Sequence, residues 1–272
     1  MNVLIIYNPE SQAGFDATEK ISQILKNEDV NVSVQEFCKT DEPEIHADTD
    51  IVIVVGGDGT IIKVAKSAAK VGCPILGINA GHLGYLASIN IHDLNAVKRI
   101  VTNDYSVEKR CIIRAEKIKN GIVVDSCDCL NDAVISKDTL SNVIDIKLNI
   151  GNDTIEYRAD GIIAATPTGS TAYSLSAGGP VVDPEMKCII LTPVCPHTLV
   201  TRSMVVDGAK PISISVKKPS DHGINLLCDG RIGLSLDEDS VVNISISDIS
   251  VKFIKLNDVS VYKVLSVKTD NY

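Results

Sequence analysis

The chain has 272 residues, of which 44% are hydrophobic, 22% are charged and 4% are aromatic, and its formal net charge is -9. An acidic balance with few aromatic rings argues against nucleic-acid binding, because neither cations for phosphates nor rings for bases are in excess. The abundance of Val and Ile argues against disorder, and no apolar run is long enough to cross a bilayer. Since no basic region precedes the apolar run at residues 3–7, we expect no signal peptide.

The first third of the chain alternates between strand and helix patterns. Continuous or alternating apolar runs predict strands at residues 3–7, 30–34, 51–55 and 75–78. Helical spacing predicts helices at residues 16–27 and 93–101, and a third that Thr60 caps and Gly72 ends. This alternation is typical of an α/β domain, an open sheet flanked by helices.

The pattern changes near residue 105, after which most segments are short strands. Hairpin turns are indicated at Asn120-Gly121 and at residues 151–153, and a short helix is expected at residues 170–177. We therefore predict an α/β domain over 1–105 and an all-β domain over 106–256. The apolar tail, 257–272, is predicted to return to the first domain.

The eight cysteines are scattered, and no two form a C-x-x-C pair. Cys127 and Cys129 are the one close pair, and an isolated C-x-C is a poor half-site for zinc. Because a chain with a large core does not need disulfides for stability, we interpret the cysteines as reduced, mostly buried thiols of a cytoplasmic protein. We also expect no metal held by protein ligands alone.

The sharpest motif is Gly56-Gly57-Asp58-Gly59-Thr60, between a buried strand and a helix. Open α/β sheets bind ligands at this end of their strands, and glycine backbones and a helix N-terminus suit a phosphate. A carboxylate within an anion site makes chemical sense if it faces a hydroxyl that must lose a proton. The alternative is a tight β–α turn with Asp58 as a local cap. The motif is neither a Walker A loop nor a G-x-G-x-x-G fingerprint.

Three further segments carry polar or glycine-rich patterns. They are the loop at residues 79–85 (Asn-Ala-Gly-His-Leu-Gly-Tyr), the pair Asn131-Asp132, and the hydroxyl-rich run at residues 158–180. Each could contact a ligand. Tyr85 could pack against a flat ring of the ligand, the Asn131-Asp132 pair could bond a vicinal diol, and the hydroxyls of the third segment could bind a purine edge or a phosphate. Taken singly, each also fits a structural role, as a connector, a turn and a capped helix.

These segments together, in this order, resemble the ATP-NAD kinase family, and residues 191–197 (Leu-Thr-Pro-Val-Cys-Pro-His) and Asp229-Gly230 extend the likeness. The resemblance covers nearly the whole chain. It implies transfer of the γ-phosphoryl of ATP to the 2′-hydroxyl of the adenosine ribose of NAD, giving NADP. It also implies a nucleotide-binding first domain, 1–105, like those of phosphofructokinases and diacylglycerol kinases, and a β-rich, NAD-binding second domain, 106–256. Mg²⁺ or another divalent cation brought with ATP, and a homotetramer or homodimer, are implied as well.

The resemblance also implies roles for particular residues. Asp58 would be the general base, while Gly57, Gly59, Thr60 and Lys63 would lie along the triphosphate and its metal. Asn131 and Asp132 would hold ribose hydroxyls, Tyr85 would line the adenine pocket, and Arg158 and Asp160 would contact NAD across a subunit interface. The remaining nucleotide contacts would come from one segment: Thr168, Thr171, Ala172, Tyr173, Ser174, Leu175 and Ser176.

The chain departs from the family pattern at three positions, with Asp132 for a Glu, Ala159 for a Gly and Arg231 for a frequent Gln. Two other functions compete with the kinase interpretation. A lipid or diacylglycerol kinase would share the Gly-Gly-Asp-Gly element, and a pyridine-nucleotide sensor would keep the NAD site without catalysis.

Overall fold

The structure, a computed structural model, describes residues 1–38, 40–81, 84–138, 142–198, 202–216, 223–237, 240–257 and 261–269. It divides into two compact units, one of residues 1–110 with 249–272 and the other of residues 111–248. None of the helices found in these residues has the length and apolar character needed to cross a membrane.

A parallel sheet in the order β2-β1-β3-β4 forms the centre of the first unit. Its strands are β1 (Asn2–Tyr7), β2 (Asn31–Glu36), β3 (Ile51–Gly56) and β4 (Ile75–Asn79). Every residue of β3 and β4 is buried, as the continuous apolar runs predict for strands covered on both faces. The short β5 (Ile89–Asn90) also pairs with β4, as does the end of β17 (Val241–Lys255).

Two α-helices follow the strands of this sheet. Helix α1 (Gln12–Lys26) begins earlier than predicted because the Ser11 side chain accepts a hydrogen bond from the Gly14 N–H. Helix α2 (Asp58–Val71) has Gly57 as its N-cap, so the prediction of Thr60 as the cap is wrong. The chain is already helical at Asp58, which places that carboxylate in the first turn.

The structure confirms the predicted end of α2 and changes the type of the next predicted helix. Gly72 ends α2 in the left-handed conformation (φ 71°), which confirms its predicted role. The helix predicted at residues 93–101 is a 3₁₀ helix, Leu94–Ile100, which buries Leu94, Val97 and Ile100. The tail contains an α-helix, Val261–Thr269.

The second unit is built from antiparallel sheets, which confirms the predicted β-rich class. One sheet has the order β13-β12-β11-β8-β15-β16, and another set pairs as β10-β9-β14 with the first residues of β17. Apolar side chains from both sets form one core cluster. The strands are β6 (Ser106–Lys119), β7 (Ile122–Cys129), β8 (Asp132–Lys137), β9 (Ile144–Ile150), β10 (Asp153–Ala159), β11 (Gly161–Ala165), β12 (Cys188–Val194), β13 (Met204–Asp207), β14 (Ile212–Val216), β15 (Ile224–Cys228) and β16 (Arg231–Leu236).

The two predicted hairpins are confirmed. Asn120 and Gly121 both have positive φ, 53° and 75°, between the antiparallel strands β6 and β7. Gly151 turns the chain between β9 and β10 with φ 58°. In place of one helix at residues 170–177, the structure has a 3₁₀ turn, Thr168–Thr171, followed by the four-residue helix α3, Tyr173–Ser176.

The expectation that all cysteines are reduced is wrong for two of them in this structure. Cys127 and Cys228 form a disulfide across a sequence separation of 101 residues. Cys127 lies on β7 and Cys228 is the last residue of β15, and only the tertiary fold brings these strands together. Spacing along the chain therefore gave no signal of the pair.

Candidate active site

The Gly-Gly-Asp-Gly loop lies between the buried strand β3 and helix α2. Gly57 and Gly59 are exposed, and an added Cβ at either would meet no atom of the described chain within 4 Å. The described residues thus do not require glycine at these two positions. Space beside an exposed backbone at a helix N-terminus suits close approach of an anion.

The carboxylate of Asp58 is fixed by backbone groups of the loop that follows β4. The Tyr85 N–H donates to its Oδ2 at 2.9 Å, and the Leu86 N–H donates to its Oδ1 at 3.3 Å. A Cβ on Gly84 would overlap the same carboxylate, so glycine at this position leaves room for Asp58 where it lies. A carboxylate has about four lone-pair sites, so these two bonds leave acceptor capacity for a substrate hydroxyl.

The loop at residues 79–85 thus approaches Asp58 directly, although the sequence alone gave it no link to the Gly-Gly-Asp-Gly motif. Tyr85 is half-buried, and the pKa of its phenol is raised first by burial and then by the charge of Asp58. His82 and Leu83, also in this loop, lie outside the described residues.

Thr60 and Lys63, the two other residues predicted to lie along the phosphates, contact other residues of the first unit. Thr60 is buried, and its side chain lies 3.0 Å from where a Cβ of Gly56 would be, so it packs beneath the loop. The ammonium of Lys63 donates to the Cys38 carbonyl at 2.8 Å and lies 5.4 Å from the centre of the Phe37 ring. In this conformation Lys63 is directed to that segment.

In the second unit, Asp229 holds the backbone of the predicted ribose-binding pair. Its Oδ1 accepts the N–H of Asn131 at 2.7 Å and that of Asp132 at 3.3 Å, and its Oδ2 accepts the N–H of Leu130 at 3.1 Å. The backbone N–H of Asp229 returns a bond to the Asp132 carbonyl at 2.9 Å. Asp229 and Gly230 both have positive φ, 48° and 76°, in the turn between β15 and β16.

Asp132 is buried, with 4% of the residue exposed. Burial, and then the nearby charge of Asp229, raise its pKa to about 7. Near neutral pH this carboxyl is therefore protonated in a large fraction of molecules, and a protonated carboxyl can donate a hydrogen bond.

The segment that holds Asn131 is also bonded to the turn after β11. The Thr166 hydroxyl donates to the Leu130 carbonyl at 2.6 Å, and the Thr166 N–H donates to the Asn131 carbonyl at 2.8 Å. A Cβ on Gly169 would overlap that same Asn131 carbonyl. The close approach of these two backbones therefore explains Gly169, and it places the predicted ribose-binding pair beside the hydroxyl-rich turn.

The hydroxyl-rich segment presents some side chains and buries others. Tyr173 and Leu175 are 47% and 37% exposed, Ser176 is exposed, and Thr171 and Ala172 are half-buried. Thr168 is buried, and its carbonyl accepts the Thr171 hydroxyl at 3.3 Å. Ser174 has no exposed surface, and its hydroxyl shares a 3.0 Å hydrogen bond with that of Thr192.

The two residues predicted to reach a neighbouring subunit are ion-paired within their own unit. Arg158 lies 3.1 Å from Asp145 on an exposed face of β10, and Asp160 lies 2.8 Å from Lys137. Both ion pairs are partly exposed. Ala159 is in the extended strand β10, where the replacement of a glycine carries no backbone cost.

Sequence reasoning gave no role to Asp229, Thr166 or Gly169, which shape the Asn131 segment. The signal for Asp229 was available, because Asp-Gly between two apolar runs predicts a turn of positive φ. Its three backbone partners lie 97 to 99 residues away, and no local pattern shows them.

Family models match most of the chain. The ATP-NAD kinase N-terminal domain matches residues 15–105, and the ATP-NAD kinase C-terminal domain matches residues 130–256. The chain is 42% identical over 199 residues to the NAD kinase of Citrifermentans bemidjiense, a match that covers 72% of this chain and 69% of that protein.

Two solved structures have a similar fold. An NAD kinase from Archaeoglobus fulgidus in complex with ATP aligns over 100% of both chains with a TM-score of 0.78 and 25% identity. Yeast NADH kinase complexed with NADH aligns over 100% of this chain and 88% of that one, with a TM-score of 0.84 and 22% identity.

This fold and these loops define a class of protein, the nucleotide kinases with an α/β unit and a β-rich unit. The chain belongs to the ATP-NAD kinase family. It is an enzyme that uses ATP to phosphorylate NAD.

Proposed function

We propose that Asp58 is the general base of this reaction and that the acceptor is the 2′-hydroxyl of the adenosine ribose of NAD. The observation that carries the proposal is the fixed Asp58 carboxylate in the first turn of α2, held by the N–H groups of Tyr85 and Leu86. A base restrained by two backbone bonds loses little conformational freedom when a hydroxyl binds to it.

The proposed reaction transfers the γ-phosphoryl group of ATP to the ribose of NAD. The 2′-oxygen forms a bond to the γ-phosphorus of ATP, the bond from that phosphorus to the bridging oxygen breaks, and ADP leaves. The hydroxyl proton passes to Asp58 and then to solvent. The exposed backbone at Gly57 and Gly59, at the N-terminus of α2, supports binding of the phosphates, since the helix dipole and the N–H groups there favour negative charge.

Asn131 and Asp132 are proposed to bind ribose hydroxyls. With a pKa near 7, Asp132 can donate to one hydroxyl oxygen when protonated, and the Asn131 side chain can both donate and accept. The family pattern has a longer Glu where this chain has Asp132. We propose that Asp229 offsets the shorter side chain by fixing the backbone beneath it.

The adenine and the second nucleotide half are proposed to lie against the hydroxyl-rich segment. The exposure of Tyr173, Leu175 and Ser176 supports contact with a ligand, as does the half-burial of Thr171 and Ala172. Thr168 and Ser174 are buried, and we propose that they support this surface from beneath. In the first unit, Tyr85 is proposed to line the adenine pocket. Lys63 is proposed to exchange its hydrogen bond to the Cys38 carbonyl for one to a phosphate.

A divalent cation, Mg²⁺ in the first instance, is proposed to enter with ATP. Mg²⁺ in such sites keeps several waters and binds to the substrate phosphates, and Gly57, Gly59 and Thr60 would frame the triphosphate that carries it. When bound, the cation would neutralise developing charge on the transferred phosphoryl group. Because the protein and both substrates are anionic, binding depends on local backbone and cation contacts.

A homotetramer or homodimer and a cytoplasmic location complete the proposal. Arg158 on the exposed face of β10 could exchange its ion pair with Asp145 for contact with a second subunit or its NAD. Light scattering of the purified chain, with the Arg158→Ala variant alongside, measures the oligomer. In a reducing compartment Cys127 and Cys228 would be thiols.

The test of the base is NADP formation from ATP, Mg²⁺ and NAD by the parent chain and by Asp58→Asn. The amide keeps the size of the side chain and cannot take a proton, so kcat should fall by about 100-fold or more. Asp16→Asn, an exposed carboxylate on α1, is the matched control and should retain the parent rate. Unchanged NADP formation by Asp58→Asn would remove Asp58 from the mechanism, and NAD binding without any NADP formation by the parent would favour a sensor.

A further inference from the structure

Three cysteine sulfurs meet in the second unit, at residues to which the proposed reaction gives no role. The Sγ atoms of Cys127, Cys129 and Cys228 all lie within 4.8 Å of one another. Cys127 and Cys129 are two residues apart on β7, so strand alternation directs both side chains to one face. Cys228 ends β15 and supplies the third sulfur.

We propose that the reduced chain binds one divalent thiophilic cation, such as Zn²⁺, through these three cysteines. Thiolates prefer soft and borderline cations such as Zn²⁺. Zinc is also known to bind three protein ligands and to take a water molecule in the fourth position. The C-x-C pair alone is a poor half-site, and it is the tertiary contact with Cys228 that makes a three-sulfur set.

The burial of the cysteines supports specific binding of an ion, because a cation bound by chance would lie at exposed groups. Cys129 is 0% exposed and Cys228 is 7% exposed, while Cys127 is half-buried and offers a path from solvent. The first two belong to the apolar core cluster of the unit, and Cys127 packs against it. Three thiolates around a divalent cation leave one net negative charge, a smaller desolvation cost than three separate charges would have.

The disulfide between Cys127 and Cys228 and the cation exclude each other, because the same two sulfurs are used. Reduction by a dithiol transfers two electrons and two protons to the disulfide, giving two thiols and one oxidised dithiol. Binding of the cation to three thiols then releases three protons. The site therefore exists in the reduced chain alone.

The proposed site adjoins the segment that holds the ribose-binding pair. Cys129 directly precedes Leu130, and Cys228 directly precedes Asp229, which accepts the N–H groups of Leu130 to Asp132. A cation bound to both cysteines would join the two backbone segments that Asp229 also joins, as the disulfide does in the oxidised chain. The site is independent of the role proposed for Asp58.

The experiment titrates Zn²⁺ into the full-length chain against a chromophoric zinc indicator, after reduction and removal of the reductant without oxygen. One Zn²⁺ per chain is expected, and Co²⁺ should give a sulfur-to-metal charge-transfer band. Cys129→Ser keeps the disulfide pair and removes one ligand, so its Kd for Zn²⁺ should rise by at least about 10-fold. Cys188→Ser, a buried cysteine of the same unit outside the cluster, should match the parent.

Circular dichroism of each variant checks that it is folded. The oxidised chain should bind no Zn²⁺ at this site. The proposal is overturned if the reduced chain binds no Zn²⁺, if Cys129→Ser binds it as tightly as the parent does, or if the oxidised chain binds it equally well.

Discussion

The carboxylate of Asp229 is bonded to the backbone of Asn131, with Oδ1 accepting the Asn131 N–H at 2.7 Å. The same side chain accepts the N–H groups on either side, so a single residue fixes the orientation of three consecutive peptides. Charged acceptors make the stronger hydrogen bonds in proteins. The geometry of the proposed ribose-binding pair therefore depends on a residue that is nearly a hundred positions further along the chain.

Replacement of Asp229 by Ala should weaken NAD binding selectively. The three N–H groups of residues 130–132 would lose their acceptor, and each hydrogen bond to a charged group contributes about 1.5–3 kcal/mol. We expect the KM for NAD to rise by about 10-fold or more, with a smaller change in the KM for ATP. Steady-state kinetics with each substrate varied in turn measures both.

Two further variants test whether the effect is specific to the Asp229 carboxylate. Asp229→Asn keeps one carbonyl oxygen and should give an intermediate KM for NAD. Asp237→Ala removes a half-exposed carboxylate that pairs with Lys117 and Lys119, and it should behave as the parent does. Equal rises in both substrate KM values would show a general loss of structure and contradict the selective role.

Gly84→Ala should lower kcat. Its Cβ would overlap the Asp58 carboxylate, so the side chain must leave the position that Tyr85 and Leu86 define. A small displacement of a reacting group costs as much as about 100-fold in rate. Gly81→Ala in the same loop meets no described atom within 4 Å and should change kcat far less. Similar kcat values for the two variants would show that the position of Asp58 is not critical.

Asp132 should make stability depend on pH. Its pKa of about 7 in the folded chain lies above the value of about 3.9 expected when unfolded, so folding favours the protonated form. Its contribution is full below about pH 4 and is lost as pH rises to about 7, at no more than about 1.4 kcal/mol per pKa unit. Relative to the parent, Asp132→Asn should thus gain stability between pH 5 and pH 8 in urea unfolding. A constant difference between the two proteins over that range would contradict the raised pKa.

The sequence was sufficient for features that depend on neighbouring residues. Buried β3, the Asn120-Gly121 hairpin and the left-handed Gly72 follow from apolar runs and turn chemistry within a few positions. The cap of α2 was misplaced because Gly57 lacks a side chain to signal it. The disulfide of Cys127 with Cys228 was missed because it joins two strands whose proximity depends on the whole second unit.

Ser174 and Ser176 provide the sharpest test of the hydroxyl-rich segment, because they are two residues apart and differ in burial. Ser174→Ala leaves the buried Thr192 hydroxyl without its 3.0 Å partner, so the free energy of unfolding should fall by about 1–3 kcal/mol while the KM for NAD stays close to that of the parent. Ser176→Ala removes an exposed hydroxyl, so the KM for NAD should rise with stability unchanged. Urea unfolding and steady-state kinetics on both variants measure the four values. A raised KM with unchanged stability in Ser174→Ala would show instead that its hydroxyl turns to the nucleotide when NAD binds.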